Sequence, residues 1–296
     1  DPALARRYLD SAARIFALAD TSGSGDLVTA QPRSFYPEDS WADDLAMGAT
    51  QLALAGAKLR DPRATDWARQ ATHWAKVNAD NAGTDSLSVY DLSAVADAEL
   101  DRLLTATPVA GAEIGVDGLR GDLRRRLDAG VAAAAADPVG AAAGSGGSDY
   151  AARELGYAAT AALYRRASGD DRYAAFGTAQ RGVALGANGW GTSLVIGAGT
   201  TYPRCPHDQI ASLTSPGGGL SMTGAVVNGP NTATRIHELL PESTTSPCAT
   251  GQFGMYDRAD ADYVDDVRVS ANSEPSIDFT ATGLLAFALT AGRRPS

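Results

Sequence analysis

The chain has 296 residues, 44% hydrophobic and 20% charged, with a formal net charge of −10. That composition belongs to ordinary globular proteins, and the acidity argues against nucleic acid, which needs a basic face, while suiting a neutral or diffusible substrate. No apolar run approaches the ~20 residues that cross a bilayer, so no membrane partner is expected.

The first residues lack the basic-then-apolar pattern of a secretory leader, which leaves room for one already removed. Residues 3–19 carry Leu4, Tyr8, Ile15 and Leu18 along one side of an alanine-rich pattern and predict an amphipathic helix ending near Asp20. Helices are then expected at 41–59, 63–80, 86–106, 117–136, 149–168 and 170–185, separated by Gly, Pro and Asp clusters such as Asp137-Pro138. Strand patterning is scarce and no fixed-period repeat occurs, so the hairpins read as an all-α bundle or toroid rather than a consensus solenoid.

From Leu185 to about residue 260 the sequence turns to Gly, Pro, Ser and Thr. Long irregular loops in a helical scaffold usually carry function. Cys205 and Cys248 lie there, and a disulfide is favoured over two unrelated thiols; two cysteines without histidines in ligand spacing do not make a zinc site. The only lysines are Lys58 and Lys76, a bias that, with abundant Ala and Gly, suggests a bacterial genome of high GC content.

The last stretch, Tyr263 to Leu289, pairs acids with a helix start. Proline suits the first helical position, so Pro275 is expected to open the final helix with Glu274 at its N-cap. Glu274 is then either a helix-end anion or a general acid. As an acid it needs burial or neighbouring carboxylates, Asp265 and Asp266 being the candidates, to raise its pKa.

The run DYVDDVRVSANSEPSIDFTATGLLAFAL resembles the C-terminal signature of glycoside hydrolase family 9, a Tyr-x-Asp-Asp stretch before Asn-Glu-x-x-x-Asp and a small-residue helix. Here Ser273 separates Asn272 from Glu274. Leu185-Gly186-Ala187-Asn188, Gly191-Thr192-Ser193, Gly197-Ala198-Gly199, Pro206-His207 and Asn228-Gly229-Pro230-Asn231 are similar to further family motifs, as are Ser40 to Ala49 and Gly169 to Tyr173. The resemblance implies an (α/α)6 barrel, with residues 1–296 one domain forming its later part. It implies inverting hydrolysis of β-1,4 bonds in cellulose or related β-glucans, with Glu274 the proton donor and His207, Tyr263, Asp265 and Asp266 the substrate-binding set. Asp208 and Gln209 stand where the family often has His and Arg, so its full set of sugar contacts does not carry over. Trp41, Trp190 and Tyr202 offer stacking faces, although tryptophan in a helical domain is more often core. No cofactor is required; calcium enters only because some relatives bind it with an acid at the Asp43 position, and Asp43 and Asp44 more often simply charge a first turn.

The family's Asp-Ala-Gly-Asp motif, source of the general base, is absent: Asp128-Ala129-Gly130 is followed by Val131 within a helical segment. About eight helices can be placed where a closed barrel needs twelve. Either an N-terminal part was removed or travels as a separate fragment, which is favoured, or the chain is a noncatalytic carbohydrate-binding relative. A polysaccharide lyase or an exo-acting glycosidase on the same fold is a third reading. The expected setting is secreted, extracellular and bacterial, with a polysaccharide or oligosaccharide as substrate.

Overall fold

The computed structural model describes residues 1–22, 40–81, 83–208, 211, 222–240, 248 and 253–291. They form two compact units, one of Asp1–Arg126 with Leu163–Asp170, the other of Leu127–Ala162 with Asp171–Ser296. Helices α1 (Pro2–Phe16), α2 (Ala42–Leu59), α3 (Ala64–Asn81), α4 (Ser93–Ala106), α5 (Val116–Ala136), α6 (Tyr150–Ser168) and α7 (Ala174–Ala184) follow in order, then two short pieces, α8 (Ala233–Leu239) and α9 (Ser270–Ser273), and finally α10 (Ile277–Thr290). Every pairing outside the helices is an isolated bridge among the described residues.

In the first unit, α1 opens on Asp1, whose Oδ1 accepts from the N–H groups of Ala3 and Leu4 at 2.9 and 3.2 Å. Pro2 costs nothing at that first position. The predicted helix is there, but its apolar stripe is not spent on this unit's core. Leu9 is buried, whereas Tyr8 and Ile15 face solvent and Leu18, just past the helix, is 81% exposed. Between α2 and α3 the seam is built from Ala46, Ala49 and Ala53 against Ala68, Ala71 and Ala75, small residues that let two backbones approach closely. At Arg60 the φ of 55° closes α2, with Asp61 N–H donating back to Gly56 at 2.9 Å, and Pro62 prevents continuation.

Helix α4 begins later than the sequence pattern predicts. Ser88 N–H donates to the Asp91 carbonyl (3.1 Å), and the Asp91 carboxylate accepts from Ser93 N–H (2.9 Å), so local polar bonds make a turn before the helix. Arg126 on α5, almost fully enclosed, ties this turn down by donating to Asp91 (2.5 Å) and Asp122 (2.8 Å). Asp97 is buried beside them, and burial first, then the Asp122 charge, holds its pKa well above the usual carboxylate range.

The second unit packs by close approach as well. A side chain on Gly130 would meet the Tyr157 ring at 2.5 Å, and one on Gly177 would meet Ala161 at 2.8 Å. After α7, Asn188 donates to the carbonyls of Val183 (2.8 Å) and Thr192 (2.9 Å), fixing the first turn of the long loop region. That region is ordered by single bridges, Val195 with Val226, Val227 with Pro275, Asn231 with Asp262 and Arg258 with Ala261, and by a Cys205–Cys248 disulfide.

Candidate active site

Three loop segments far apart in sequence meet at Glu274. His207 N–H donates to the Ser273 carbonyl (3.0 Å), Asn228 N–H to the Glu274 carbonyl (3.1 Å) and Gly229 N–H to the Asn272 carbonyl (3.0 Å). The Pro206-His207, Asn228-Gly229 and Asn272-Ser273-Glu274 pieces, each read separately from the sequence, are thus stitched into one site by main-chain bonds. Asn272 and Ser273 are buried and serve the stitching. Asn272 Nδ2 donates to the Gly229 carbonyl (2.7 Å), and the Ser273 hydroxyl shares its proton between the main-chain carbonyls of Asp266 (2.9 Å) and Val269 (3.0 Å).

The expected N-cap is corrected here. Pro275 pairs across to Val227 instead of opening the helix, and Ser276 is the N-cap of α10. The cause is steric, because a proline drives the residue before it out of the helical region. Glu274 is accordingly extended at φ −73°, ψ 121°, closing α9 rather than starting α10. Glu274 is an exposed residue.

Surrounding protein still takes part of the water from its carboxyl, and this partial burial is the main cause of a raised pKa, with His207 pulling it down and Asp278 pushing it up. The exposed side chain keeps that shift in contact with water and so screened. Asp278, in the first turn of α10, is the charged neighbour that the sequence reading did not single out, although it follows Glu274 by one turn. His207 is held by its ring, Nδ1 lying 2.6 Å from the Val267 carbonyl, so that nitrogen carries the proton and donates.

The remaining expected site residues have other tasks. Asp265, buried, accepts from the N–H groups of Arg204 (2.8 Å) and Cys205 (2.9 Å) and so positions the chain that leads to His207. Asp266 accepts from Arg268 through Nη2 (2.6 Å) and Nε (3.0 Å). Tyr263 is 0% exposed, packed edge-on against Phe253 with ring centroids 5.3 Å apart, and 6.1 Å from the Trp190 ring. Neither of the two acids is a source of Glu274's raised pKa; burial and Asp278 are. Of the suggested stacking faces, Tyr202 has the Arg204 guanidinium 3.8 Å over its ring, Trp190 is buried, and Trp41 is half-buried in the first unit.

Asp43 is committed to the Leu92 N–H (2.7 Å), and burial pushes its carboxyl up to about 6. Among the described residues no three His, Cys, Asp or Glu side chains converge as a metal shell.

Comparison with curated proteins returned no match. Among solved structures the chain is similar to the cellulase Cel9M of C. cellulolyticum, at 20% identity and a TM-score of 0.68, covering 98% of this chain and 58% of that one. It is similar to the same enzyme in complex with cellobiose (19%, TM-score 0.65, 95% and 57% covered) and to the catalytic domain of Clostridium thermocellum CelT (19%, TM-score 0.69, 98% and 56%). The chain therefore spans rather more than half the length of the structures it matches, and the fold they share is the all-α (α/α)6 barrel. The family model for glycosyl hydrolase family 9 matches residues 1–287. By that match over nearly its whole length, the chain belongs to glycosyl hydrolase family 9.

Proposed function

We propose that this chain is the later part of a secreted bacterial glycoside hydrolase that cleaves β-1,4-linked glucan with inversion, Glu274 acting as the general acid. The observation that carries it is Glu274 itself: an accessible carboxyl with a raised pKa, on a backbone held by Asn228 and its neighbours. A carboxyl held above its ordinary pKa keeps its proton to higher pH and can pass it to the leaving oxygen, while a second carboxylate, about 6.5–9.5 Å away in inverting enzymes, activates water. His207 and Tyr263 shape the sugar subsite, His207 beside Glu274 and Tyr263 from within the wall. Asp265 and Asp266 support it by fixing the loops they bond. A saccharide substrate is supported by the similarity to a cellulase that holds cellobiose, and secretion by the disulfide, which persists in oxidising compartments.

The general base is assigned to the part of the barrel that this chain does not span. Exposed apolar side chains support that assignment: Ile277 on α10 is 91% exposed and Leu284 is largely so, as are Tyr8 and Ile15 on α1. Such faces on helices of a toroid fit further helices, in the same polypeptide or a companion N-terminal fragment. A noncatalytic carbohydrate-binding relative is the second reading, favoured by the absence of an Asp-Ala-Gly-Asp run from the sequence. The test is Glu274→Gln in the full-length protein. Reducing-sugar release from β-1,4-glucan falls by about 10²-fold or more while binding is retained; near-full activity sinks the assignment.

A further inference from the structure

A pocket of about 170 Å³ opens in the second unit among Asp137, Ser145, Tyr150, Trp190, Tyr256 and Arg258, and neither Glu274 nor His207 lines it. Its polar groups are only partly used. Tyr150, the first residue of α6, is 3% exposed, yet no described residue hydrogen-bonds its hydroxyl. Asp137 spends Oδ1 on the N–H groups of Val139 (2.9 Å) and Ala141 (3.1 Å), which leaves Oδ2 to accept. Arg258 is partly exposed and makes one long ion pair, 3.5 Å to Asp260.

The walls are rigid. Trp190 Nε1 donates to Asp257 (2.8 Å), which also accepts from Tyr263 N–H (3.2 Å), so the indole and the Arg258–Ala261 turn hold each other. The Ser145 hydroxyl donates to the Asp260 carbonyl and closes the opposite loop on the same turn. Tyr256, half exposed, leaves a ring face at the mouth.

We propose that this pocket is a second saccharide subsite that takes one neutral sugar ring, its hydroxyls meeting Tyr150, Asp137 and Arg258 and its apolar face meeting Tyr256. Three features select that ligand. One acid and one base line the pocket, so neither an anion nor a cation is matched overall. A purely apolar guest would bury the Tyr150 hydroxyl and the Asp137 carboxylate without partners, at a cost. The volume lies below the roughly 300–1,000 Å³ of drug-sized sites, which limits the occupant to about one ring.

This inference takes its substrate class from the hydrolase reading, but its test stands apart from Glu274. Cellotetraose is titrated calorimetrically into the full-length Glu274→Gln protein, where turnover does not interfere, and then into the same protein carrying Tyr150→Phe or Tyr256→Ala. Each added change weakens binding by ~2- to 10-fold, the worth of one hydrogen bond or one aromatic contact, with an unchanged melting temperature. Tyr256 is at the surface, so its variant carries little folding risk. Unaltered affinity in both variants, or no cellotetraose binding in the parent, overturns the subsite. Activity of the Glu274→Gln protein separately decides the hydrolytic reading.

Discussion

At Glu274 partial burial is the main cause of the raised pKa, and two neighbours adjust it in opposite directions. The proposed general-acid role needs the protonated carboxyl, so it predicts a rate that falls as pH rises through the raised pKa of Glu274. His207 opposes that elevation and Asp278 supports it. Asp278→Asn removes a negative charge, lowers the Glu274 pKa and moves the alkaline limb of the kcat/KM profile to lower pH; a limb that stays put contradicts the coupling. Glu154 gives a stability counterpart. It is buried, accepts from Ala143 N–H (2.9 Å), and burial raises its pKa from 4.5 to about 8. The unfolded chain releases that proton near pH 4.5 and the folded one near 8, so Glu154's contribution is fully present below 4.5 and is lost as pH rises to 8. The slope is roughly 1.4 kcal/mol per pH unit at most. Thermal unfolding of Glu154→Gln across pH 4 to 9 is expected to flatten this loss. The segments that meet at Glu274 and His207 were legible because each is a short motif. The service of Asn272 to Gly229, and of Asp265 to Arg204 and Cys205, was not, since each bond spans 43 to 61 residues and no local pattern encodes it.

Among the elements, helix existence was readable and helix starts were less so. Periodicity located α2, α3, α5 and α6 to within a residue or so, because alanine-rich stretches bounded by Gly, Pro and Asp leave few alternatives. At α4 and α10 a local bond or a proline moved the start: Asp91 accepting from Ser93 delays α4, and Pro275 pairing with Val227 delays α10 to Ile277. Composition did favour joining Cys205 to Cys248, and the pairing ties down the loop whose next residues are Pro206 and His207. A disulfide closing 43 residues stabilises by roughly 4 kcal/mol in the chain-entropy model. Reduction is expected to lower the melting temperature and, by releasing Cys205, to loosen His207. Unfolding followed with and without dithiothreitol, beside glucan hydrolysis, checks both; equal melting temperatures in the two conditions contradict it.

At the scale of the molecule, the all-α barrel and its incompleteness were both readable. Eight helices of eleven residues or more are present among the described residues, and the cellulase structures are covered over only 56–58% of their length. What the sequence could not show is where the unspent apolar surface lies. The α1 stripe looks like core in a helical projection, yet α1 packs through Leu9, Ala13 and Phe16 and leaves Tyr8 and Ile15 in solvent. The proposed chemistry rests on proton donation by Glu274. The most direct measurement compares full-length wild-type and Glu274→Gln protein on unmodified cello-oligosaccharide and on a 2,4-dinitrophenyl cellobioside, whose leaving group departs without a proton. A general acid predicts a loss of about 10²-fold or more on the first substrate and a much smaller loss on the second. Equal losses on both substrates, or none on either, would contradict the role given to Glu274.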